Sequence, residues 1–218
     1  EIVSDLTKLI RKIKTAKKNR KIIAFGFYGN VIDLWERLYK ENIFVDIGSD
    51  QTSLHNPFHG GYYPHSISFK QSNQLIQNNP KEFKKLVQKS LRDHVNIINK
   101  HTKKGTYFFD YGNAFLLESS RAKADILNKD GDFKYPSYVQ DIMGPLCFDY
   151  GFGPFRWVCL SNKIDDLKKT DKIAEKVLRN LLKSSPNYIK EQMQDNIHWI
   201  KSAHNNKLVV GSQSRILY

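Results

Sequence analysis

Between Lys21 and Ser49 the chain runs KIIAFGF, then YGN, then VIDLWERLYK, then ENIFVDIGS, and few folds accept that order. Short continuous apolar runs suit parallel strands buried on both faces. Ile32, Leu34, Trp35 and Leu38 recur at helical spacing over Val31–Lys40, so the segment between the runs is an amphipathic helix. Strand, helix and strand in sequence predict a βαβ unit, an α/β fold with a doubly wound parallel sheet flanked by helices.

The remaining pattern extends this frame. Ile2, Val3, Leu6, Ile10 and Ile13 predict a helix over 2–18, and Phe83, Leu86, Val87, Leu91, Val95 and Ile98 predict another over 81–104. Thr106–Phe109 reads as a third strand and Ala114–Ala124 as a helix. Ile164–Leu182 and Tyr188–His204 form a C-terminal helical extension, followed by a short strand at Leu208–Val210. Pro57, Gly60, Gly61 and Pro64 make 51–69 a loop, and 71–80 is a polar, Gln/Asn-rich tract. Tyr135–Cys159 carries Gly144, Gly151, Gly153, Pro136, Pro145 and Pro154 among many aromatics. It is expected to be an ordered loop, and long ordered loops in compact domains are usually functional.

Composition narrows the partners. The net charge of +13 invites a nucleic-acid reading. The only dense basic run is Arg11–Lys21, however, and elsewhere lysines alternate with acids along helices, as on a solvated face. Neither nucleic acid nor membrane is expected as a partner, since no apolar run approaches the roughly 20 residues of a membrane span. Cys147 and Cys159 lack CxxC spacing and are expected as reduced thiols in the cytoplasm. The chain opens at Glu1 and stops at Tyr218, directly after a strand-like stretch, so it is expected to be a piece of a longer protein.

Ligands of open parallel sheets bind beyond the carboxyl ends of the strands, and three segments qualify. Gly26–Asn30 joins a strand to a helix, with glycines that let backbone N–H groups approach an anion. Asp50–His55 and Asp110–Asn113 each follow a strand with more hydrogen-bonding groups than a connector needs. Each also has a reading as plain helix capping. His55, His59 and His65 lie close in sequence, but Pro57 bars a helical i, i+4 pair and no metal site is expected. Arg156 in GPFRW can pair with an anion or stack on an aromatic ring.

The strings YGN, DQTSLH, GYYP, FFDYGN, GFGPFRW and the closing GSQSRILY resemble urocanase, and the likeness spans essentially the whole chain. The resemblance implies a Rossmann-like NAD-binding core over 1–160, with the first half of the family domain lying upstream, and a helical extension over 161–218 leading into a C-terminal catalytic segment. It implies urocanate hydratase activity, the NAD-dependent addition of water to urocanate in histidine breakdown to give imidazolonepropionate. NAD serves there as an electrophile without net redox, the full-length protein is expected to be a homodimer, and this stretch alone is expected to be inactive. The family's NAD contacts map onto Asn30, Val31, Gln51, Thr52, Ser53, Leu54, His55, Tyr62, Tyr63 and Tyr111.

One departure concerns the chemistry. The bacterial-type pattern ends in RICW, with a cysteine regarded as catalytic, whereas here Arg215-Ile216-Leu217-Tyr218 matches the animal-type variant. Leucine cannot act as acid, base or nucleophile, so no catalytic residue is assigned. The alternative function is a non-catalytic Rossmann-like nucleotide-binding module.

Overall fold

The computed structural model describes residues 1–50, 54–112, 114–150, 156–210 and 214–217. It divides into two compact units, Glu1–Val139 and Gln140–Tyr218. A strand at Arg156–Cys159, within the stretch expected to be a loop, falls in the second unit and pairs with the strand at Ser214–Leu217.

In the first unit, Ile2–Val3 forms a strand (β1) and the helix begins only at Leu6–Lys18 (α1). This corrects the expected helix over 2–18. Asp5 caps α1, its Oδ1 accepting the Lys8 N–H at 3.0 Å, which satisfies one of the orphan donors of the first turn and sets the start. The expected strand over 21–27 is regular only at Gly26–Phe27 (β2), parallel to β1, while Ile22 and Ile23 are exposed. A strand persists only as far as a neighbour supplies hydrogen bonds, and β1 supplies two residues.

The helix at Val31–Lys40 (α2) has the expected bounds. Beyond it, Ile47–Asp50 (β3) pairs in parallel with Tyr107–Asp110 (β4), in the register Gly48 to Phe108 and Asp50 to Asp110. Among the described residues β2 and β3 therefore lie in separate two-stranded sheets. The parallel crossovers run β1–α1–β2 and, through two helices, β3 to β4, so the unit is α/β with small parallel sheets.

The polar 71–80 tract is a helix, Phe69–Asn78 (α3), opened by a reciprocal capping box between Ser68 and Gln71. Asn79 then caps Pro80–Thr102 (α4), accepting the Glu82 N–H at 3.1 Å with Pro80 in the first turn. Phe83, Val87, Leu91, Val95 and Ile98 of α4 are buried against Ile32 and Trp35 of α2, Phe108 of β4 and Phe115 of Ala114–Arg121 (α5). Each such side chain contributes roughly 1.5–3 kcal/mol. Trp35 lies across Gly48, where a Cβ would come within 2.6 Å of the indole; only glycine leaves room for the ring.

In the second unit the expected loop resolves into short pieces. Tyr138–Met143, at the junction of the units, is a π-helical stretch. Gly144–Leu146 (α6) is one helical turn and Phe148–Tyr150 a 3-10 turn. Arg156–Cys159 (β5) is a strand. Glycines and prolines prevent a long element, yet Pro145 suits the first turn of a helix. Ile164–Ser184 (α7) and Asn187–Ala203 (α8) pack through Leu178, Ile189, Met193, Ile197 and Ile200. Leu208–Val210 (β6) runs antiparallel and β5 parallel to Ser214–Leu217 (β7), giving the order β5-β7-β6. Buried Arg215 of β7 pins α7: its Nε and Nη2 donate to the Asp171 carboxylate at 2.7 and 2.6 Å. No described helix is long and apolar enough to cross a membrane.

Candidate functional site

Beyond the carboxyl ends of β2 and β3 the first unit holds a cavity of about 670 Å³. It is walled by the Phe27–Val31 turn, by Asp50 and by the Gly61–Phe69 segment. Its position obeys the rule for ligand clefts of parallel sheets, and its size is ordinary for a small-molecule site.

Local chemistry builds these walls. Gly29 lies so close to the Phe27 ring that a Cβ would meet it at 2.3 Å, so a side chain there would force the ring to move. Asn30 ties two walls together. Its Oδ1 accepts the Ile32 N–H at 3.0 Å as the cap of α2, and its Nδ2 donates to the Tyr63 carbonyl at 2.9 Å. Asn30 thus caps α2 and lines the cavity at once.

Tyr62 is buried, and its hydroxyl lies 3.2 Å from Nδ1 of His94 on α4. Burial, reinforced by the Asp50 and Asp93 charges, pushes the phenol well above its ordinary range, while burial pushes His94 down to about 3. The pair is therefore neutral at pH 7. The Tyr63 hydroxyl donates to Asn73 Oδ1 at 2.8 Å, and its ring packs on Phe69 with centroids 4.8 Å apart. His65 sits between Asp93, at 3.1 Å, and Asp33, at 3.7 Å.

Four of the sequence-derived candidates, Asn30, Val31, Tyr62 and Tyr63, line this cavity. Tyr111 is not among the lining residues, and its N–H donates to the carbonyl of Asp50, which is, at 2.9 Å. The Tyr111 ring stacks on Tyr138 at 4.8 Å and 7°. Leu54 is instead part of the apolar core, and His55 is exposed. Gln51, Thr52 and Ser53 lie outside the described residues.

Sequence reasoning passed over Asp33 and read His65 only as a possible metal ligand; both face the cavity. The signal available for them was Asp33 in the first turn of α2 and its distant histidine partner, a pairing that sequence spacing does not reveal. No three metal-capable side chains cluster among the described residues. In the second unit Arg156 is exposed, and Cys147 and Cys159 are free thiols. Cys159 is buried and stands directly beside Leu217 in the parallel register.

Comparison with known proteins accords with this architecture. Residues 1–142 match the urocanase Rossmann-like domain and residues 145–218 the urocanase C-terminal domain, a boundary close to the division at Val139. The chain is 53% identical over 220 residues to a probable urocanate hydratase of Caenorhabditis elegans, covering 98% of this chain and 33% of that protein. It is 49% identical over 230 residues to the urocanate hydratase of Mus musculus and 51% identical over 224 to a probable urocanate hydratase of Dictyostelium discoideum. Each of these two covers 100% of this chain and 33% of the relative. The chain thus spans about a third of the length of these curated relatives. With both of its units matched by family domains in order, the chain belongs to the urocanase family.

Proposed function

We propose that this chain supplies part of the NAD site of a urocanate hydratase, an NAD-dependent hydro-lyase converting urocanate to imidazolonepropionate in histidine breakdown. The observation that carries the reading is the identity of about half the residues across the whole chain to urocanate hydratases. The cavity fits part of such a cofactor. Phe27, Tyr28 and Tyr63 offer aromatic faces to a ring, and Asp33 and Asp50 offer acceptors to sugar hydroxyls.

In this reading Asn30, Val31, Tyr62, Tyr63 and Tyr111 hold the nucleotide, together with Gln51, Thr52, Ser53, Leu54 and His55. NAD, when bound, supplies an electron-withdrawing ring and is regenerated unchanged. Leu54, being in the core, contributes through packing and not through a polar side-chain contact. Neutral Tyr62 and His94 keep the inner wall uncharged. A cytoplasmic setting belongs to the same reading, supported by the free thiols, as does a homodimer of the full-length protein.

Leu217 favours a second reading, a nucleotide-binding module without hydratase chemistry, since its side chain transfers no proton. The test is urocanate consumption by the full-length protein, followed as loss of ultraviolet absorbance, alongside its NAD content. Turnover supports the hydratase. NAD retained without turnover supports the module, and a protein that never holds NAD overturns both. Tyr111→Leu or Gln51→Ala is expected to weaken NAD binding by about 1–3 kcal/mol, the range for losing one contact to the bound nucleotide.

A further inference from the structure

We propose that Tyr138 is a positioning residue that backs one face of the Tyr111 ring and so fixes the orientation in which Tyr111 meets a planar ligand group. The inference rests on the reading of Tyr111 as a nucleotide contact for its ligand, while the ring geometry stands apart from that reading.

Tyr138 belongs to the aromatic-rich stretch over 135–159, and the end of β4 brings it beside Tyr111. The Asp110 N–H donates to the Pro136 carbonyl at 2.9 Å, and Asp110 and Ser137 form a parallel bridge. Since β3 takes one edge of β4, this segment runs along the other. Phe109 and Tyr111, two residues apart at the strand end, carry side chains on the same side of the sheet. The Tyr138 ring meets both. Its centroid lies 5.8 Å from that of Phe109 at 34°, and 4.8 Å from that of Tyr111 at 7°, within the range of stacked aromatic pairs. Phe109 and Tyr138 are half-buried, so this row of rings has a fixed inner end and presents Tyr111 at its exposed one.

The backbone of Tyr111 is held without Tyr138. Its N–H donates to the Asp50 carbonyl, and the Gly112 N–H donates to Oδ1 of buried Asp110 at 3.0 Å. These bonds leave the side-chain torsions open, and an exposed ring on a turn has more than one staggered position available. Stacking on Tyr138 selects one of them. A ring already in place spares a ligand the entropy of ordering it. With Tyr138 on one face, a planar group is received on the opposite face, whose electron-rich π surface suits an electron-poor heteroaromatic ring.

The test uses the full-length protein, with Tyr138→Leu and Tyr138→Phe made alone and Tyr138→Leu also combined with Tyr111→Leu. By calorimetry with NAD, Tyr138→Leu should bind about three- to tenfold more weakly, the scale of ordering one side chain on binding. Tyr138→Phe keeps the ring and should recover most of that loss. In the Tyr111→Leu background Tyr138→Leu should change affinity little, because a residue that acts through another has no effect once that other is gone. Undiminished affinity in Tyr138→Leu, an equal loss in Tyr138→Phe, or additive losses in the double variant would each overturn the proposal. The fluorine resonance of Tyr111→fluorotyrosine reads the ring with no ligand present. It should move and sharpen in Tyr138→Leu as the ring is released, and stay in place in Tyr138→Phe. A full-length protein that never binds NAD overturns the nucleotide reading instead, and the fluorine signal still decides whether Tyr138 fixes the ring.

Discussion

Replacing His94 by Phe should remove a large part of the acid sensitivity of the first unit. His94 is buried on α4 beside Tyr62 and edge-on to Phe115, with ring centroids 5.0 Å apart. Burial, with a small contribution from the His65 charge, lowers it from 6.5 to about 3. The sign follows from proton counting: the unfolded chain takes up this proton below pH 6.5 while the folded chain refuses it until about pH 3, so acid favours unfolding. The stability is fully present above 6.5 and is lost at about 1.4 kcal/mol per pH unit as pH falls through the interval. At pH 4.5 the loss relative to pH 7.5 is about 3 kcal/mol, a large share of the stability of a typical domain. Phe keeps the ring in the core and does not titrate. It forfeits the hydrogen bond to Tyr62, a cost of about 1–3 kcal/mol that does not depend on pH. Urea unfolding at pH 7.5, 6, 5 and 4.5 should give a steeper fall for the unaltered protein than for His94→Phe, the difference approaching 1.4 kcal/mol per unit. Parallel pH profiles would refute the reasoning, because they would mean that His94 does not resist protonation in the fold.

Three further perturbations probe the frame around the site. Gly48→Ala should cost about 1–3 kcal/mol through the clash with the Trp35 indole, read as a lower urea midpoint, and Trp35→Leu in the same chain should recover part of it; an undiminished midpoint would contradict the packing. Asn30→Ala removes both the α2 cap and the tie to Tyr63, so a loss of about 1–2 kcal/mol is expected by thermal unfolding, with weaker NAD binding by calorimetry. Asp171→Asn leaves buried Arg215 without its counter-charge and should destabilise the second unit by about 3–5 kcal/mol, seen in the fluorescence of Trp157 and Trp199, both of which lie in that unit.

Which parts of this were legible in the sequence follows the range of the interactions. The α2 bounds, the α4 stripe from Phe83 to Ile98 and the two C-terminal helices were legible because helical periodicity and capping act over a few residues. The α3 helix was not, since its Gln/Asn-rich composition hid a capping box that needs only Ser68 and Gln71. The short β1 at Ile2–Val3 was missed because its apolar spacing also fits a helix, and only pairing with β2 distinguishes the two.

The same division runs through the candidate site. Its strand-end turns, Gly26–Asn30 and Asp50, are local features, so the sequence by itself determined where along the chain these walls of the cavity lie. The tertiary structure alone decided that Leu54 is core, that Asn30 joins α2 to the Tyr63 segment, and that His65 lies between carboxylates on two helices. Those pairings join residues 28 to 33 positions apart, for example Asp33 with His65 and His65 with Asp93. Residues so far apart meet only when packing of separate elements pays their loop-closure entropy, and no pattern within either segment encodes that meeting.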